Sequence, residues 1–198
     1  MIKEHKDKRI ENGKKTVSKV LLIARKMFGK RGFAKTSTSD IVKKAGIARG
    51  GLYHHFSSKK DIFKAVFRIA MEEIAEQIKF DKSAPDKKDH LLKITMAFFK
   101  ACLDPERLQI VMIDASSVLG MDEFRRLDKK LLTAQLTEYL KHLMEDNIIK
   151  PINVETMSHL LAGAANDAVF LIAQSKNKDK TLKKVFASFE ILIDSLWL

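Results

Sequence analysis

The sequence predicts an all-α fold of about nine helices, and three observations lead there. Apolar residues recur at spacings of three and four along most of the chain, and no convincing period-two run appears. Only three prolines occur, Pro85, Pro105 and Pro151, each where the helical period breaks. Helix starts and stops are also legible, as Ser or Thr ahead of the periodic runs and glycine after them.

The 198 residues are 45% hydrophobic, enough to bury a real core and unlike a disordered composition. The charge is unevenly placed. Residues 1–60 hold 17 Lys and Arg against 4 Asp and Glu, a net of +13, while residues 61–198 are close to neutral at −1. A basic first third on a near-neutral body implies a polyanion-binding end and a separate body. Three parts follow: a mobile basic arm at 1–13, a basic domain at 14–60, and a body at 61–198.

The arm is polar and mixed in charge. It reads as a solvated tail adding nonspecific attraction, with a minor-groove role for Lys3, Lys6, Lys8 and Arg9 as the alternative. From about Lys15 to Lys30, Val17, Val20, Leu21, Ala24 and Phe28 share one helical face, and Gly29 and Gly32 are expected to end that helix. Phe33 is expected to turn into the small core. Thr38 or Ser39 can cap a second helix that places Ile41, Val42 and Ala45 inside, and Gly46 stops it. A third short helix runs from near Ala48 to about Phe56, held down by Leu52 and Phe56. Ser57 or Ser58 then caps a fourth, with Asp61 in its first turn, where a carboxylate suits the helix dipole. Five more helices are expected near 86–103, 105–118, 121–147, 153–175 and 180–197.

Three short helices with a tight turn between the second and third form a helix-turn-helix, which sets one helix in the major groove. That groove is ~12 Å wide and admits one helix. The third helix offers Arg49, Gly50, Gly51, Tyr53 and His54 outward. Arg49 lies at its N-terminal end, where base contacts fall in this docking geometry. Gly50 and Gly51 suit close backbone approach, or simply a loose turn. Thr38, Tyr53, His55 and Lys59 suit phosphate oxygens, which position without specifying. His54 and His55 are adjacent, point ~100° apart on a helix and have no second cluster to join, so no metal site is expected.

The stretch IARKMFGKRGF, then TSTSDIVKKAGIARGGLYHHF, then SSKKDIF resembles the N-terminal signature of the TetR family of bacterial transcriptional regulators over about residues 17–67. The resemblance implies groove-facing positions at Arg49, Gly50, Gly51 and His54, and phosphate-contacting ones at Thr38, Tyr53, His55 and Lys59. Ser39 joins this DNA-binding set, its base or phosphate partner open. The resemblance also implies that the last two helices form a homodimer interface. The apolar stripes there give Leu161, Ala165, Ala168, Ile172, Phe186, Phe189 and Ile193 as the seam, with an intrachain core as the competing reading; Phe170, Leu171, Ile191, Leu192 and Trp197 are left over. A ligand cavity in the middle helices is implied too, with Phe98, Cys102, Met112, Asp114, His142, Asn166 and Phe170 as candidates for a small-molecule effector.

The expected function is a ligand-responsive transcriptional regulator, a repressor that grips a palindromic operator in double-stranded DNA as a homodimer. An activator or a ligand-independent regulator of the same family is the alternative, and a nonspecific nucleic-acid-binding protein a more distant one. No GxSxG, P-loop or metal cluster is legible, so neither an enzyme nor a cofactor is expected. Cys102 is the only cysteine and can form no intrachain disulfide. With no signal sequence and no apolar run read as membrane-spanning, the chain is expected in the cytoplasm with no membrane partner.

Overall fold

The computed structural model describes the backbone of residues 2–198 and the side chains of residue 11 and residues 13–198. Nine helices follow one another among the described residues: α1 (Ile2–Arg31), α2 (Thr38–Ala45), α3 (Arg49–Tyr53), α4 (Lys59–Gln77), α5 (Lys87–Cys102), α6 (105–119), α7 (121–145), α8 (Val154–Gln174) and α9 (Lys178–Asp194). They divide into two compact units. The first runs from the N-terminus to Ala70 and adds Pro105–Met121; the second takes Met71–Asp104 and Asp122–Leu198. The boundary read from sequence fell at residue 60 and did not return α6 to the first unit.

α1 begins at Ile2, so its backbone is helical through the stretch read as an arm. The side chains of Lys3, Lys6, Lys8 and Arg9 lie outside the described residues. Gly32, at φ 77°, ends α1 as expected, but Gly29 lies inside the helix. The reason is contact with α6: a Cβ on Gly29 would lie 2.8 Å from the Glu106 side chain and 2.9 Å from its Cα. Arg25 Nε donates to Glu106 Oε2 at 3.2 Å, and the Phe33 amide donates to Asp114 Oδ2 at 2.7 Å. Phe33 does turn inward. Its ring centroid lies 5.3 Å from that of Phe63 and 5.8 Å from that of Phe28, and Phe28 and Phe63 are 5.3 Å apart. Aromatic pairs at these separations add ~0.5–1.5 kcal/mol each beyond the area they bury.

The cap of α2 is Ser37, whose hydroxyl accepts the Asp40 amide, rather than Thr38 or Ser39. Gly46 closes it at φ 58°, a conformation that favours glycine. α3 is only five residues long, and Leu52 is its one fully buried side chain. The Ser58 hydroxyl accepts the Asp61 amide at 3.1 Å and donates to its carboxylate at 2.9 Å, closing the start of α4 reciprocally.

In the second unit Leu91, Tyr139, Leu140, Leu143, Ile149, Val154, Ile193 and Leu196 form one apolar cluster. Asp86, Asn153 and Asn177 cap α5, α8 and α9 through side-chain oxygens. Asn147, at φ 56°, turns the chain after α7. The C-terminus is clasped by a single bridge between Ile149 and Trp197, with the Lys150 amide donating to the Leu196 carbonyl at 2.8 Å. Two helices carry a stretch of π-helix, Leu108–Asp114 in α6 and Lys129–Thr133 in α7.

Candidate functional site

The first site is the exposed side of α2 and α3. Leu52 anchors α3 at 1% exposure, and around it Arg49, Gly50, Tyr53, His54 and His55 face outward. A Cβ on Gly50 or Gly51 would meet nothing within 4 Å, so the backbone of this tip is open to an approaching surface. The Arg49 guanidinium lies 5.6 Å from the centre of the Tyr53 ring, and the Tyr53 hydroxyl lies 3.4 Å from the Thr38 hydroxyl. The Thr38 hydrogen bond, then Arg49, holds the Tyr53 hydroxyl below its usual pKa. Thr38, Arg49 and Tyr53 are thus brought together, and Ser39 lies exposed on α2 beside Thr38. The rings of His54 and His55 are 5.0 Å apart, and Gly13 of α1 lies next to His55, where a Cβ would be 3.5 Å from its ring.

Lys59 is engaged within the fold. Its ammonium donates to the carbonyls of Phe33 and Thr36, both at 2.9 Å, and sits 4.0 Å from the centre of the Phe33 ring. All three interactions tie the start of α4 to the turn between α1 and α2, so Lys59 clips the fold.

The second site is a cavity inside the second unit. Its empty space is about 670 Å³ with the open solvent at its mouth included. Its walls include Ile94, Phe98, Leu132, Leu136 and Phe189, with Thr95, Asp128, Thr133 and Asn166 as polar points. Of the effector candidates named from sequence, Phe98 and Asn166 line it. Cys102 is buried in α5 away from the wall, and Phe170 is half-buried on α8. Met112 and Asp114 belong to the first unit, where Asp114 is engaged with Phe33. His142 stands 3.4 Å from Asp146 one turn on. Asp128 and Thr133 were missed, because their contact depends on the π-turn.

The stripe read as a dimer seam also resolves differently. Leu161, Ala165, Phe189 and Ile193 line the cavity, Ala168 and Ile172 are buried in the chain's own core, and Phe186 is half-buried. The large apolar side chains left exposed on α8 and α9 are Leu160, Leu171, Ile191 and Leu192, at 60%, 57%, 71% and 45%. Leu160 and Leu171 are eleven residues apart, three turns of helix, and so share a face. α8 is also long and apolar enough to cross a membrane by length and composition, although no such run was read from the sequence, and only 22% of that window is buried within the chain.

An all-helical chain whose first unit presents a short anchored helix with arginine, tyrosine and histidine outward is a helix-turn-helix DNA-binding protein. Residues 20–66 match the family model for bacterial regulatory proteins of the tetR family, and residues 89–196, more than half of the chain, match that for the Tetracyclin repressor-like C-terminal domain. The chain therefore belongs to the TetR family of transcriptional regulators. Among curated relatives, the TetC protein of transposon Tn10 from Escherichia coli is 23% identical over 160 residues, 81% of each chain. The transcriptional regulator AcrR of Shigella flexneri is 27% identical over 104 residues, a match that spans only 48% of that protein. A TetR-family regulator from Pectobacterium atrosepticum has a solved structure that superposes with a TM-score of 0.79 at 28% identity, covering 95% of this chain and 97% of that one.

Proposed function

We propose that this chain is a cytoplasmic repressor that holds a palindromic operator as a homodimer and lets go when a small molecule occupies the body cavity. The observation that carries the reading is the pairing of two features in one chain: an outward, anchored recognition helix in the basic unit, and an apolar cavity in the neutral one.

A single five-residue helix reads too few base pairs for a useful operator, so two copies are needed, set about 34 Å apart on a palindrome. The exposed Leu160, Leu171, Ile191 and Leu192 supply the seam between copies. Arg49 reads bases, Thr38, Tyr53 and His55 hold phosphates, and Gly50 and Gly51 let the backbone sink toward the groove. A ligand that binds the non-gripping arrangement more tightly shifts the population away from the operator, and a full switch needs ~5.5 kcal/mol of such preference.

The test is selection of bound sequences from a random pool with the purified protein. A palindrome is expected, bound at least ~1,000-fold more tightly than random DNA at physiological salt. Recovered sequences with no common motif would make the chain a nonspecific binder instead. Deleting the gene should raise transcription from a promoter carrying the selected operator; a fall would make it an activator.

A further inference from the structure

The cavity wall is apolar apart from Thr95, Asp128, Thr133 and Asn166, and Asp128 lies half-buried against Thr133. The π-turn Lys129–Thr133 explains the pairing. It widens the helix from a four-residue to a five-residue register, which sets Thr133 above Asp128, and the Thr133 hydroxyl donates to Asp128 Oδ2 at 2.7 Å. That bond spends the only proton Thr133 has. Among the described residues no Lys or Arg pairs with Asp128; the exposed His159 opposes the effect of burial on it only in part. Thr95 donates its own proton to the Leu91 carbonyl at 2.9 Å, which leaves the Asn166 carboxamide as the remaining side-chain donor in the wall. The cavity therefore offers a mostly apolar wall, hydrogen-bond acceptors, and one carboxylate that no Lys or Arg pairs with among the described residues.

We propose that the effector is a lipophilic monoamine: an apolar or aromatic molecule carrying a single protonated nitrogen, which Asp128 receives while the rest packs against Phe98, Leu132, Leu136 and Phe189. Burial raises the Asp128 pKa, against the smaller opposing effects of the Thr133 hydrogen bond and His159, so an incoming cation relieves a cost already present in the fold. A carboxylic acid of the same shape would meet like charge. A polyamine would bring second and third charges that this wall has no groups to meet. The inference rests on the ligand-released reading given above.

The probes are 4-phenylbutylamine, 4-phenylbutan-1-ol and 4-phenylbutanoic acid, matched in shape and differing in charge. Each is titrated calorimetrically into the full-length wild-type protein and into Asp128→Asn. The amine should bind the wild type at least tenfold more tightly than the alcohol, the acid should bind least, and Asp128→Asn should erase the preference for the amine. An alcohol or acid that matches the amine, no binding by the amine, or a preference that survives in a folded Asp128→Asn each overturns the proposal. Should the variant fail to fold, the wild-type ranking decides by itself. Operator binding by the unliganded protein is measured in parallel. An intact operator complex with no amine preference sinks this inference alone, whereas no operator complex sinks the regulator reading whatever the amines do.

Discussion

Arg49 and Asp128 are two charged side chains with opposite fates, and each gives a prediction. Arg49 is exposed at the start of α3, stacked beside Tyr53 and free to meet a guanine edge. Arg49→Ala should cost about 1–3 kcal/mol per half-site, and the loss should fall on the ratio of operator to random DNA in a competition titration. A variant with an unchanged ratio would remove Arg49 from base reading. Asp128 has a raised pKa from burial, so between the ordinary carboxylate value and its own the native state holds the extra proton. Stability contributed by that group is therefore lost as pH rises through this window. Asp128→Asn carries no such cost. Thermal melts of the unliganded proteins should find the variant more stable near neutral pH, with the difference shrinking below the usual carboxylate range. Arg49 was legible in sequence because helix-turn-helix docking assigns its position a role. Asp128 was not, since reading LDKKLLT at 3.6 residues per turn separates residues that a π-turn stacks.

At the scale of elements, sequence periodicity placed the helices well and their faces less well. Ser58, Gly46 and Gly32 act as caps and stops as their chemistry dictates, and the five later helices begin and end within a few residues of expectation. On α8 and α9 both sides are apolar, so core and seam can share the same helices. Periodicity finds a stripe but does not say which of two stripes the chain covers itself. The stripe through Phe189 and Ile193 faces inward, and the one through Leu160 and Leu171 is exposed. Leu171→Glu with Ile191→Glu should give a helical, folded monomer in sedimentation equilibrium, because both side chains are exposed within the chain and two buried charges per subunit would oppose association. A dimer of unchanged affinity would place the seam elsewhere. The same monomer should also bind a single half-site far more weakly than the parent binds its palindrome, as expected when two readers no longer act together.

For the whole molecule, the fold class, the helix count and the division of charge could all be read in advance, because each depends on composition and period over long stretches. The membership of α6 could not. It is set by side chains 81 residues apart, Arg25 with Glu106 and Phe33 with Asp114, and by the close approach at Gly29. Long-range pairing of this kind leaves no periodic trace. It predicts that residues 1–70, expressed alone, form a less stable unit than the same residues in the full chain. The fragment leaves the Phe33 amide without its carboxylate and strips the cover from one side of α1. Amide hydrogen exchange in α1 and α2 should be markedly faster in the fragment than in the intact protein. Equal protection would show that α6 is dispensable.

The return of Pro105–Met121 to the first unit also bears on how such a regulator can be rebuilt. A chimera cut at residue 70, joining this head to the body of a relative, would inherit the donor's α6 beneath this protein's α1. Gly29 would then face a side chain other than Glu106, and the Phe33 amide a residue other than Asp114. Exchange of operator specificity should therefore succeed when both segments travel together, and when one is moved alone it should succeed only with a compensating change at Gly29 or Asp114. The heritable cassette is discontinuous in the gene, two separate stretches of coding sequence that specify one reader.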